Sequence, residues 1–213
     1  MTVKSGNTTS SIFRKIGRYL LELEKRAAMN IQDFIQSIES TDLRVVANHW
    51  CEARGDALMP SWEQIRPSRI SAQLPLVWAY KYHRQTGQFT GRLASNRITQ
   101  GFRKNFRGLR LEEAHPSDSL PWILQYMTRV VSEPTAYRTI GKLFKRGDRI
   151  IEGERIAFPL AVDGIHGDGV LGASSFQSVH WGSDDSPVEL LTDNELWLPL
   201  APTRATELTV NQE

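Results

Sequence analysis

Three clusters in this 213-residue chain carry side chains of the kinds that do chemistry. Asp163, His166 and Asp168 place two carboxylates and an imidazole within six residues, which is a metal-ligating set on paper. They stand in a stretch rich in Gly and Asp, the residues that tight turns use, and the turn is the stronger reading. Glu152 and Glu154 are two apart, so on a strand they share one face at ~7 Å, with Arg155 on the other face. A carboxylate pair can do general acid–base work, but a solvated strand face is the plainer expectation. Gly172-Ala173-Ser174-Ser175 misses the nucleophile elbow, because neither serine has a glycine two residues away on both sides. No Walker loop, HExxH or CxxC occurs. The expectation is a chain with no catalytic residues and no metal site, and so not an enzyme.

Composition narrows the class. Hydrophobic residues make up 40% and charged residues 23%, which is ordinary for a globular protein. No run approaches the ~20 apolar residues that span a bilayer. The N-terminus is polar, without the apolar core of a signal peptide, and the single cysteine, Cys51, cannot form an internal disulfide. A reducing, cytoplasmic location is expected.

The net charge of +2 conceals an asymmetry. Residues 1–110 hold 18 basic and 8 acidic side chains, against 8 and 16 in residues 111–213. Lys81–Arg110 has eight basic residues and no acid, interleaved with Phe89, Phe102 and Phe106. Basic residues with aromatics can bind single-stranded nucleic acid. The Phe102–Phe106 spacing is helical, however, and no helix-turn-helix or RNP-like sequence accompanies it. Nucleic acid is therefore an unfavoured partner, and attraction between the two halves is the simpler use of the charge.

The elements that must position these groups follow from periodicity. From Ile12 to Ile38 the residues Ile16, Leu20, Leu23, Ala27, Ile31, Phe34 and Ile38 form a near-heptad stripe, which predicts one long helix. So narrow a stripe suits a second copy or a partner helix as well as it suits the chain's own domain; a membrane surface is a weaker reading. Residues 1–40 form this extension. Thr41 or Asp42 caps a second helix that Gly55 stops, and a Pro-broken connector follows. Trp78, Tyr80 and Tyr82 alternate on a strand, Gly87 turns it, and a second strand runs over 89–95. Short helical pieces lead to Pro116, and a longer helix with Pro121 in its first turn ends at Pro134. Three strands follow, over about 137–144, 150–160 and 169–181. The pattern predicts an α+β fold with a five-stranded antiparallel sheet and helices on one face. Residues 182–213 are acidic with large apolar groups. They read either as a docking tail or as a segment folded back on residues 41–181.

That order, together with several short stretches, resembles the PAS domain, and in particular a bacterial subfamily of stand-alone PAS proteins. The stretches are Asn48-His49-Trp50 with Arg54-Gly55, Met59-Pro60, Ile65-Arg66-Pro67, Ile70 with Leu74-Pro75, and Phe89-Thr90-Gly91-Arg92-Leu93. Gly101, Gly108 with Leu111, Pro116, Glu154-Arg155, Pro159-Leu160 and Leu171-Gly172 continue the likeness over roughly 42–180. Ser95-Asn96 departs from a Gly-Thr pair common there. The resemblance implies strand order 2-1-5-4-3, a cavity between sheet and central helices, and a sensor or adaptor in bacterial signalling. Such a protein acts through a signalling partner, as a homodimer in this case through the stripe. Tyr80, Phe102, Trp122 and Tyr126 are the aromatics expected around the cavity, with His115 beside them. No cofactor is required, although a small metabolite or a haem on His115 is compatible with the implied fold. His49 and His83 lie outside the expected pocket.

Overall fold

The computed structural model describes residues 29–115, 118–177 and 186–201. The first described element, α1 (Ile31–Ser37), is short because it has its own start. Asn30 is extended and its side chain accepts from the N–H groups of Gln32 and Asp33, while Asp33 reaches back to the Asn30 N–H. This reciprocal cap satisfies donors that a continuous helix would leave no need to satisfy. The expectation of one unbroken helix to Ile38 is corrected accordingly. Ile16, Leu20, Leu23 and Ala27 lie outside the described residues. Of the rest of the stripe, Ile31 is half-buried, and Phe34 is fully buried edge-on against Phe158 of the same chain.

Helix α2 (Thr41–Arg54) has the boundaries its end residues dictate, with Ser40 capping the Leu43 N–H and Gly55 at positive φ closing it. Two 3-10 turns, Pro67–Ile70 and Leu74–Leu76, lead into β1 (Val77–His83) and β2 (Gln88–Ala94). Helices α3 (Asn96–Phe102), α4 (Leu111–Ala114) and α5 (Leu120–Ser132) come next, then the meander β3 (Thr135–Arg146), β4 (Arg149–Leu160) and β5 (Gly169–Phe176). The strand order is β2-β1-β5-β4-β3, antiparallel throughout, as expected.

The sheet then exceeds five strands. Two further segments, β6 (Glu189–Leu190) and β7 (Asn194–Pro199), both pair with the outer edge of β3, where Phe144 faces Leu190 and Tyr137 faces Trp197. Residues 189–190 and 194–199 are thus sheet, so this part of the acidic segment folds back on the domain, the second of its two readings, and the sheet continues past residue 181. At the other edge, the middle of β2 is covered by the 106–110 segment: Gly91 donates to the Leu109 carbonyl and accepts from the Gly108 N–H.

Helices cover both faces rather than one. Period-two alternation on β4 sends Ile156, Phe158 and Leu160 toward α1 and α2, where Trp50 stacks on Phe158 at 4.8 Å and donates to the Pro159 carbonyl. Ala157 joins the opposite core, with Ile123, Tyr126, Met127 and Val130 of α5 and the rings of Trp78 and Tyr80.

Glu154 belongs to the α2 side and is buried, against the expectation of a solvated strand face. Its carboxylate accepts from the Glu39 and Ser40 N–H groups at 3.0 and 2.7 Å and pairs with Arg138 at 2.5 Å. The pair anchors the turn before α2 to the sheet.

Trp197 holds the last strand down, with its ring 4.4 Å from that of Tyr137 and under the Arg129 guanidinium at 4.2 Å. Replacing Trp197 with Ala removes half-buried aromatic area and a cation–π contact, an expected loss of about 2–3 kcal/mol. Urea unfolding of the full chain measures it; an unchanged midpoint would show that β7 adds nothing to the fold.

Candidate functional site

Between the sheet and helices α3–α5 lies an internal cavity of about 20 Å³, enough for one water molecule or so. Its walls come from seven elements and one loop. Alternation on β1 turns Trp78 and Tyr80 inward, α3 supplies Ile98 and Phe102, and the following loop supplies Phe106. His115 stands at the end of α4, and Tyr126 and Met127 face in from α5. Arg155 of β4, Ser174 of β5 and Leu190 of β6 complete the lining.

Aromatic packing explains why so little space remains. Tyr80 and Phe106 stack at 4.9 Å, and Phe102 stands edge-on to both His115 and Phe144. Polar atoms are few and specific. Trp78 Nε1 donates to Ser174 Oγ at 3.0 Å. The Tyr80 hydroxyl lies 3.1 Å from His115 Nε2, and His115 Nδ1 is buried with no partner. Burial pulls the His115 pKa down to about 3, with the Arg155 and Lys104 charges adding to it, so the imidazole is neutral at physiological pH. Burial likewise pushes Tyr126 up to about 12 and Tyr80 well above the ordinary phenol value.

Tyr80, Phe102, His115 and Tyr126 therefore meet around one space. Trp122 does not reach it: half-buried, it stacks on Tyr126 at 5.5 Å. Adjacent positions on a helix point about a quarter-turn or more apart, and Ile123 takes the inward one. Trp78, Arg155 and Ser174 were not anticipated. The alternation that selected Tyr80 also selects Trp78, and the alternation opposite Ile156 and Phe158 also selects Arg155. Leu190 had no such signal, since it arrives from outside the expected domain.

The other candidates resolve simply. Asp163 accepts from the N–H groups of His166 and Ile165 and lies 2.9 Å from the His166 ring; these bonds hold its carboxyl well below the usual range and close a turn. No group of three or more His, Cys, Asp or Glu with metal-ligand spacing occurs among the described residues. Gly167-Asp168-Gly169-Val170-Leu171-Gly172 has the GxGxxG spacing, but it runs along β5 and not from a strand into a helix, as dinucleotide binding requires. In the basic stretch Phe89 and Phe106 are buried, Arg92 lies over Trp62 and Arg97 bonds the Phe176 carbonyl, so those two phenylalanines offer no stacking platform. The residues do not suit a haem: the His115 Nε2 that would ligate its iron is already engaged by Tyr80. No described helix is long and apolar enough to cross a membrane.

The order β2-β1-β5-β4-β3, the helices inserted after β2, and a cavity beneath them are together the architecture of a sensory module. A family model described as PAS domain matches residues 38–175, well over half of the chain, and the chain belongs to that family. No curated protein and no solved structure matches the chain.

Folded His115 takes up a proton only near pH 3, whereas the unfolded chain does so near 6.5. Between those values the unfolded state binds more protons, so stability is lost as pH falls through that window. Replacing His115 with Gln, which can still bond Tyr80, should flatten that dependence by up to about 1.4 kcal/mol per pH unit. Urea titrations of both proteins across the window check this; parallel curves would mean that His115 titrates normally.

Proposed function

We propose that this chain is a cytoplasmic sensory adaptor: a small ligand enters the cavity, and the resulting shift is read by a signalling partner. Membership of the PAS family makes it a sensory and signalling module. The observation that carries the finer reading is the cavity's construction. Its lining joins α3, α4 and α5, helices of 7, 4 and 13 residues, to Leu190 of β6, so an occupant presses on the least regular side of the core and on the C-terminal segment together. Phe102 is half-buried at the end of α3, and the next residue, Arg103, sits at φ 50°, a conformation costly for a side chain of its kind. This is the side that yields to make room.

Two measurements test the reading. Native mass spectrometry of the full chain should show a retained small molecule, or else added metabolites should raise the melting temperature. A bare mass with no thermal shift across a metabolite library counts against it. For assembly, the stripe Ile16, Leu20, Leu23 and Ala27 supports a homodimer. Removing residues 1–28 spares the buried Phe34 and should halve the mass seen by light scattering. A monomer before and after the deletion removes the dimer.

A further inference from the structure

Arg155 is 1% exposed, and its side chain lines the cavity. It donates to the Leu143 and Leu191 carbonyls at 3.2 and 3.4 Å and lies over the Phe144 ring at 5.1 Å. None of these partners carries a charge, and no ion pair among the described residues includes Arg155. Glu154, its neighbour in sequence, is on the opposite face and is taken by Arg138. A buried cation without a counter-ion is costly, and a buried charge is ordinarily paired.

A second observation concerns the polar pair beside it. Neutral His115 and Tyr80 have two protons between them, one N–H and one O–H. Their single mutual bond uses one. If Tyr80 donates to Nε2, the spare proton is on His115 Nδ1, which has no partner. If Nε2 donates to Tyr80, the spare proton is on the hydroxyl. In either tautomer a buried donor is left for an acceptor that the described residues do not supply.

Resting on the ligand reading above, we infer that the cavity binds a small monocarboxylate with an apolar or aromatic body. The carboxylate would lie against Arg155 and the Tyr80–His115 pair, and the body among Trp78, Phe106 and Tyr126. One guanidinium balances one negative charge. A phosphate monoester at about −1.5 to −2 would leave part of its charge bare in an aromatic core. The planar fork of Arg also matches a carboxylate in bidentate geometry.

The test compares acids with their amides, which share shape and lack the charge. Acetate, isovalerate, benzoate and phenylacetate, each beside its amide, are titrated calorimetrically into the full chain and into the Phe102→Ala variant, which widens the cavity. At least one acid should bind tenfold or more tightly than its amide in one of the two proteins. Arg155→Met should abolish that margin, and Arg155→Lys should keep part of it. Amides that bind as well as their acids overturn the charge assignment and leave the ligand-cavity reading standing. Absence of binding by every acid and amide to both proteins overturns both. The acid–amide contrast needs no Arg155 variant, so a misfolded Arg155→Met leaves the test intact.

Discussion

The rest of the structure hangs on a constraint of strand β4: consecutive side chains leave it on opposite faces. Glu154 and Arg155 are adjacent, opposite in charge and both buried, yet they cannot neutralise each other because a strand stands between them. Each must be satisfied within its own layer. Glu154 recruits Arg138 from β3 and the backbone N–H groups that open α2, which fixes the helical lead-in to the sheet. Among the described residues Arg155 finds only carbonyls and a ring. The two cores on either side of the sheet are therefore electrostatically unequal. The layer under α1 and α2 holds a closed ion pair, and the layer under α3–α5 holds a bare cation.

That inequality gives the cavity its character. A core of Trp78, Tyr80, Phe106 and Tyr126 could close completely, since stacked rings fill space well. Instead it includes a guanidinium, an imidazole held neutral and a serine hydroxyl. Arg155 also bonds the carbonyl of Leu191, the residue just after β6, while Leu190 touches the cavity itself. The same cation thus borders the internal space and holds the C-terminal segment.

How much of this could be read from the chain depends on how local each signal is. The end of α2 was legible because Gly55 is a stop that acts within one turn, whereas its start was placed at Thr41 or Asp42 and the cap is Ser40, since several neighbouring residues there can cap. Clean alternation at Ile156, Phe158 and Leu160 named a strand face without need of neighbours. The break at Asn30 was also local, as Asn30 and Asp33 have capping spacing, but the longer apolar stripe masked it. Glu154 is a different case. Alternation says which face it takes and not whether that face is covered, and the cover comes from residues 39 and 40, more than a hundred positions away. For residues 182–213 a docking tail and a segment folded back on the domain stood equal, because a two-residue strand such as β6 has no period and an acidic run looks solvated until it pairs; β6 and β7 fold back. Of the five expected cavity residues, the four that face inward sit at positions set by strand or helix phase. Trp122 was chosen for its ring and not for its phase.

The sheet's two flanks carry a different lesson. Along β3, the backbone of Thr135–Ile140 and Phe144–Lys145 is occupied by β7 and β6, and the middle of β2 is occupied by the 106–110 segment. A passing strand thus meets main chain already in use along the middle of β2, which blunts sheet-to-sheet coalescence there, whereas at the other flank β7 takes the place of β3 as the edge. It follows that a partner at the β2 flank must be chosen by side chains rather than by shared backbone, which leaves discrimination there to surface residues that can change without disturbing the sheet.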